Sequence, residues 1–580
     1  MSENPYQSAH PNNTNKTTGN SYQWALPGDA NAFFGLMLDN IAGLVLMVGL
    51  LSTVFGFPVD FALAYMVPGT AIGVLVGDLL YTMLAFRHAK KTGNSRVTAM
   101  PLGLDTPSTI GMVFFVLGPA FASKAGALAA TAGHTSMEAL ADAAATAPEA
   151  AAQLATINTE AATYAWHIGI CAIFFSGLIK FALSFCSNWI RTAFPRAGLL
   201  GSLAAIALVL ITFSPLEKVS ANPIVGFAAL IIVFITLIGR GKLPWKIPGA
   251  LGAVGLGCLI WAAMRGLDAA GIVTVHHEAA PFAIQWFPTE WMTVFQFQWI
   301  GAIGDAVAYL PYIVPFAVAT VIGGIDCTES AASAGDDFST NQVIGIEAFA
   351  TLIASLCGGV IQSTPYIGHP AYKAMGGRAA YTLATALFVG GAGLIGYFGV
   401  LFAIIPEAAV MPILIFIGIE ITAQSFHVTP RRHYAALAVA CLPALAKLIV
   451  IYLGQYVAFE KMATDPGILN LKVLSGGFIV SSLLWSSAMA KIIDRKYSVA
   501  AMLMAIGGAL VLFGVVHSPL DDKMFLPTDI LSFNDPVKKA VINYAVAYFV
   551  MAGLLIGYGT LMKGQFQEIN SDEEFEALGE

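Results

Sequence analysis

Apolar runs of about twenty residues, separated by short polar connections, recur along almost the whole chain. A run of that length matches a membrane crossing, because ~20 residues of α-helix span the ~30 Å hydrocarbon layer. Crossings are predicted near 33–54, 62–86, 105–122, 164–186, 197–214, 222–239, 247–264, 308–333, 341–361, 369–377 joined to 380–404, 408–424, 433–455, 473–490, 498–516 and 540–562. Counting 369–377 and 380–404 separately gives about sixteen segments, about fourteen in a core and two beyond it. This divides the chain into a polar tail 1–32, a first repeat 33–266, a second repeat 267–490, two extra helices in 491–562 and an acidic tail 563–580.

Composition excludes the alternative of several soluble domains. Charged residues are 11% of the 580, against roughly 25% in soluble proteins, and AVILMFWYC make up 57%. The formal net charge is −7 and no basic run interleaved with aromatics occurs, so no nucleic-acid partner is expected. Cys171, Cys186, Cys258, Cys327, Cys357 and Cys441 lie in or beside apolar stretches without CxxC spacing, which reads as free thiols rather than disulfides or a metal site. Neither a cofactor nor an enzymatic constellation is read: His-Glu-x-x-His and Gly-x-Ser-x-Gly are absent from the sequence. Gly391-Ala-Gly-Leu-Ile-Gly396 has the form of a dinucleotide fingerprint but lies in an apolar run with no strand before it, so it reads as close helix packing.

Loop charge orients the layout. Arg87, Lys90, Lys91 and Arg96, then Arg191 and Arg196, then Arg240, Lys242 and Lys246, then Arg431 and Arg432, then Lys491, Arg495 and Lys496 fall on one side. Lys and Arg collect on the cytoplasmic side, so both termini are expected there, in the cell membrane. The connection at Asp336 and Asp337 also falls on that side, although it carries no Lys or Arg. On this reading the sequons at Asn12 and Asn15 carry no glycan. The Ala-rich connection 123–163 is expected to form one or two external helices or a spacer.

Polar residues inside apolar segments carry the functional signal, since an ionisable group there costs about 2.5 kcal/mol or more unless it faces protein or water. Asp326 and Glu329 stand three apart on one helical face in Gly323-Gly-Ile-Asp-Cys-Thr-Glu-Ser330, where they can hold a proton or a cation or form a solvated helix end. Two Pro-rich interruptions match each other: Met100-Pro-Leu-Gly-Leu-Asp-Thr-Pro-Ser108 and Ser363-Thr-Pro-Tyr-Ile-Gly-His-Pro-Ala371. Each places a polar residue, Asp105 or His369, four positions after a Pro. Matching interruptions in two halves of a chain predict half-helices that bind solute near mid-membrane. Asp39 and Asn40 in the first crossing are weaker candidates.

The segment from Asp326 through Ser363-Thr-Pro-Tyr-Ile-Gly-His369 to Gly376-Gly-Arg378, then Ile405-Pro406 to Gly418, resembles the second half of nucleobase/cation symporters. The azaguanine-resistance type of purine permease is the nearest pattern, and Met100-Pro-Leu-Gly-Leu-Asp105 resembles that family's third crossing. The likeness covers about 33–490. It implies an all-α polytopic fold of two inverted repeats of seven crossings, divided into core and gate, with short strands before the third and tenth crossings. It also implies symport of a purine-like base or similar planar polar solute with protons or sodium, and allows a homodimer. The family's acid on the eighth crossing falls on Asp326; its second acid falls on Gly368 and is missing. Residues and resemblance together give an expected site of Asp326, Glu329, Thr364, Tyr366, Gly368 and His369 with Asp105 and Thr106 opposite, and coupling through Asp326, Glu329 or Asp39. An anion carrier of the sulfate-permease kind shares the implied fold and is the alternative.

Overall fold

The computed structural model describes residues 22–134, 136–144, 147–187, 196–272, 283–366, 368–453, 465–519, 525–563 and 568–576. Asn12, Asn15 and Arg191 lie outside the described residues, as do the side chains of Arg196, Asp326 and Glu329. Among the described residues, nine helices are long and apolar enough to cross a membrane, or up to twelve if each of three bent pairs is one span. The chain is a multi-pass membrane protein, and its described residues are helical apart from two short strands and the connections.

The first half runs α1 (Gly28–Phe55), α2 (Val59–Thr92), strand β1 (Leu102–Leu104), α3 (Thr106–Thr131), α4 (Met137–Ala144) and α5 (Pro148–Ser184). Then come α6 (Leu200–Ala221), α7 (Pro223–Ile238) and α8 (Gly249–Ala269). The second half repeats that order with α9 (Leu310–Ser333), α10 (Thr340–Leu356), strand β2 (Ser363–Pro365), α11 (His369–Ala374) and α12 (Ala380–Ile395), which turns through 92° into α13 (Phe398–Ile404). It closes with α14 (Glu407–Val428), α15 (Tyr434–Leu453), and a span broken by 76° into α16 (Pro466–Ser475) and α17 (Phe478–Ile493). Each half therefore carries helix, helix, strand with half-helix, helix, then three more crossings, and β1 pairs antiparallel with β2, the relation that an inverted repeat produces. The extra pair is α18 (Tyr497–Leu512) and α19 (Asp535–Leu561). Residues 123–163 are built from the end of α3, the short α4 and the start of α5, against which α4 packs.

Two bodies form. In one, α2 packs on α10 and α12, α5 on α9 and α10, and α1 on α12 and β1. In the other, α6 packs on α14, α15 and α17, and α7 on α8 and α14. Apolar side chains do not drive helices together in lipid, so close approach has to come from small residues. A Cβ on Gly393 would stand 2.5 Å from the Ala71 Cβ, so the fingerprint-like Gly391–Gly396 run is where α12 meets α2. Gly396 then ends α12 at φ +89°, a left-handed conformation that favours glycine.

At one end of the first body, Asp336 is sealed from solvent and accepts the Thr98 N–H at 3.0 Å. Its Oδ2 lies 2.7 Å from Lys373 Nζ. Asp29 accepts the backbone N–H groups of Arg378 and Tyr381 nearby. The Asp336 connection, which has no Lys or Arg of its own, thus shares its end of the protein with the basic 87–96 segment and takes its cation from α11.

Candidate functional site

A strand edge inside a bilayer must be closed, because no water is there to satisfy it. The register Gly103↔Thr364 leaves Leu102, Leu104, Ser363 and Pro365 turned outward from the pair. Four side chains close those edges. Asp78 Oδ1 accepts the Leu102 N–H at 3.1 Å, and Asn40 Oδ1 accepts the Leu104 N–H at 3.1 Å. On β2, Lys180 Nζ donates to Ser363 O at 2.9 Å and Cys327 Sγ to Pro365 O at 3.2 Å. Pro365 occupies an outward position where its missing N–H leaves nothing unsatisfied.

Both half-helices begin where the strands end. Asp105 caps α3, its carboxylate accepting the Ser108 N–H at 3.2 Å and a Gln362 Nε2 hydrogen bond at 3.2 Å. Ser176 donates to the Gln362 carbonyl, which fixes the amide orientation. Ser108, Ser176 and Gln362 also border a cavity of ≈ 10 Å³, room for about one water. Thr106 is buried as the first residue of α3.

Beside Gly103 of β1 lies Asp39, 7% exposed. Its Oδ1 has no hydrogen-bond partner among the described residues, and its Oδ2 is 3.1 Å from where a Cβ on Gly103 would stand. Tyr366 borders the same point and senses the charges of Asp39 and of Glu420 on α14. Thr364 is half-buried on β2. A Cβ on Gly368 would come within 2.6 Å of the Tyr366 ring, so the ring folds over the position where the resembling family carries its second acid.

Of the residues expected at the site, the structure brings Asp39, Thr364, Tyr366 and Gly368 together on one side of the strands, and sets Asp105 and Thr106 at the start of α3. Asp326 lies on α9 next to Cys327, so its backbone is level with Pro365; the side chains of Asp326 and Glu329 are outside the described residues. His369 is buried at the start of α11. Its Nε2 is 3.1 Å from Thr98 O and 3.3 Å from the buried carboxylate of Asp336.

The sequence reading passed over Lys180 and Glu347, whose Nζ and Oε1 meet at 2.8 Å with both side chains fully buried. The signal was present: Gly177-Leu-Ile-Lys180-Phe and Gly345-Ile-Glu347-Ala-Phe are ionisable residues in apolar runs, like Asp326. Asp78 and Glu420 belong to the same class.

No family model matches the chain, and no curated protein does. The likeness to nucleobase/cation symporters therefore rests on the residues alone. Solved structures do align. The transmembrane domain of a cyanobacterium bicarbonate transporter, BicA, is 15% identical over 73% of this chain and 95% of that one, with a TM-score of 0.41. SLC26A9 is 14% identical over 73% of this chain, also with a TM-score of 0.41, and the match spans 65% of its length.

Proposed function

We propose that this protein is a secondary transporter of a small polar solute, held where the strand pair hands over to α3 and α11. The observation that carries this reading is the strand pair itself: two discontinuous helices, one from each half of the chain, start from paired strands inside the membrane body. An unbroken helix would satisfy its backbone more simply, and a break in both halves is the arrangement of a mid-membrane binding site.

The charges around the site favour a neutral or protonated planar solute, such as a purine-like base, taken up with protons or sodium. Asp39 offers an unpartnered carboxylate oxygen, Glu420 adds a second acid, and the positive end of α3 is already occupied by Asp105. Asp326 completes the acidic side in this reading, with Tyr366 as the flat surface on which a base would stack. A small inorganic anion is the second reading, favoured by the Lys180 ammonium, a fixed cation directly on β2. One of the aligned structures is named as a bicarbonate transporter, so bicarbonate belongs among the solutes tested.

Uptake into proteoliposomes of a labelled panel of purines, pyrimidines, bicarbonate and sulfate, under imposed proton or sodium gradients, tests the proposal. Gradient-driven accumulation of a base supports the first reading, and accumulation of an anion alone replaces it with the second. No accumulation of any member overturns both.

A further inference from the structure

Glu347 on α10 has Oε1 at 2.8 Å from Lys180 Nζ, and its Oε2 has no hydrogen-bond donor among the described residues. The same carboxylate presses on α9, since a Cβ on Gly324 would stand 2.8 Å from Oε2. Lys180 also donates to Ser363 O, so it ties Glu347 to the strand that starts α11. Asp105 is within electrostatic range of both Lys180 and Glu347. One cation and two carboxylates from α5, α10 and the cap of α3 therefore share one buried space.

That count does not balance. With both acids ionised the cluster holds a net negative charge away from water, which is expensive; a single proton makes it neutral. The two acids differ in what supports their ionised forms. Asp105 accepts two N–H hydrogen bonds and sits at the positive end of α3, whereas Glu347 has Lys180 alone among the described residues. Tyr81 of α2, whose hydroxyl donates to Val343 O, is a further titratable group within range of Glu347, and Cys327 of α9, which donates to Pro365 O, lies near Tyr81. Asp78 lies near Tyr81 and is held by the Leu102 N–H, and Asp326 is next to Cys327 on α9.

We propose that Glu347, paired with Lys180 beside Asp105, is the site that carries the coupled proton. It takes a proton from water when the cluster is hydrated, giving a neutral Glu347 carboxylic acid. It returns that proton to water on the other side when the path reopens there, and the sealed intermediate is the neutral, loaded form. The water-sized cavity bordered by Ser108, Ser176 and Gln362 lies beside the two residues that hold Asp105. Loss of the proton restores the full Lys180–Glu347 attraction and so pulls on Ser363, which links protonation to the position of β2. This rests on the transporter reading above and adds the ion to it.

The test is infrared difference spectroscopy of the full-length protein in bilayers, stepped from about pH 8 to about pH 5, with the proton as the only probe. A buried protonated-carboxyl C=O band is expected in wild type and is expected to lose its Glu347 component in Glu347→Gln, leaving only what the other buried acids, Asp39, Asp78 and Asp105, contribute. The amide that this substitution introduces mimics the loaded, neutral form, so the variant is expected to fold. Lys180→Met removes the cluster's cation and is expected to move the midpoint of the band upward in pH. An undiminished band in Glu347→Gln, or an unmoved midpoint in Lys180→Met, overturns the proposal. The two readings fail separately. If the band behaves as expected while no panel solute accumulates, the proton site stands and the transporter reading falls. If Glu347→Gln still accumulates solute at the wild-type level on a proton gradient, the transporter reading stands and Glu347 is not its proton carrier.

Discussion

Asn40 Oδ1 accepts the Leu104 N–H at 3.1 Å while its Nδ2 donates to Leu36 O and reaches Leu102 O, so one amide of α1 serves as the missing neighbour strand of β1. Replacing it by Leu keeps the volume and orphans the Leu104 N–H in a dry interior. Each such buried group costs about 1–3 kcal/mol, so Asn40→Leu is expected to lower the melting temperature of the detergent-purified protein. Asn40→Asp retains the acceptor and should lose less. Equal melting of Asn40→Leu and wild type would show that β1 does not need this closure.

Asp336 gives a pH-dependent expectation outside the membrane spans. Burial by itself raises its pKa; the hydrogen bonds from His369 and Lys373 and the charge of Lys373 outweigh that and hold it below the ordinary 3.8. A native pKa below the unfolded one means that the stabilisation is fully present above 3.8 and is lost as pH falls through the lower native value. Asp336→Asn should therefore destabilise the protein at neutral pH, by about 3 kcal/mol if the pair behaves as a buried one. It should also flatten the acid limb of a stability–pH curve. An acid limb identical in variant and wild type would assign that loss to other carboxylates.

The extra helix pair contacts the broken α16–α17 span through His517. Its backbone N–H donates to Gly476 O at 2.7 Å and its Nδ1 is 3.1 Å from Val473 O, which makes Nδ1 the protonated nitrogen. Nε2 then accepts from the Tyr548 hydroxyl at 2.8 Å, and that oxygen accepts from Trp485 Nε1. Every polar atom is satisfied in one tautomer of a neutral ring. His517→Phe keeps the ring and removes both side-chain bonds, so a loss of about 1–3 kcal/mol is expected, read as earlier thermal unfolding. His517→Asn should recover part of it. Unchanged melting of His517→Phe would mean that apolar packing alone holds α18 and α19 to the α16–α17 span.

Most of the architecture was legible because a crossing is specified by length and apolarity alone, as in the 408–424 run that became Glu407–Val428. Ends were less legible: α5 starts at Pro148, well outside the apolar run that predicts it, since the helix propensity of its Ala-rich opening carries the helix on where lipid no longer demands it. The breaks at Leu102–Leu104 and Ser363–Pro365 were visible through their prolines, which forbid a continuous helix there, while the strands themselves were expected only from the family resemblance. Lys180 and Glu347 were hidden by their separation in sequence. Each alone reads as an isolated charge, and only the packing of α5 on α10 turns the two into a pair. The contact of His369 with Asp336 was not legible, because Asp336 lies in a connection whose own charge pointed only to topology.

The remaining expectation concerns Asp39 and Asp326, the acids on α1 and α9 that flank the strand pair. If Asp39 accepts a hydrogen bond from solute, Asp39→Asn keeps its size and removes the charge. Apparent affinity for the transported solute should then fall about tenfold, the equivalent of roughly 1.4 kcal/mol, with the maximal rate less affected. Asp326→Asn is expected to do more: gradient-driven accumulation and exchange of bound solute should both be lost, because in this reading Asp326 binds the solute whose proton Glu347 carries, whereas loss of Glu347 alone spares exchange. Fold integrity enters separately: the edge-closing side chains Asp78, Asn40, Lys180 and Cys327 are untouched, and both variants should elute from gel filtration as wild type. Uptake and counterflow in the same proteoliposomes separate the two roles. Wild-type accumulation by Asp326→Asn across about pH 5 to 8 would place Asp326 at an interfacial helix end. Unchanged affinity in Asp39→Asn would move the solute to the Asp105 side of the strands.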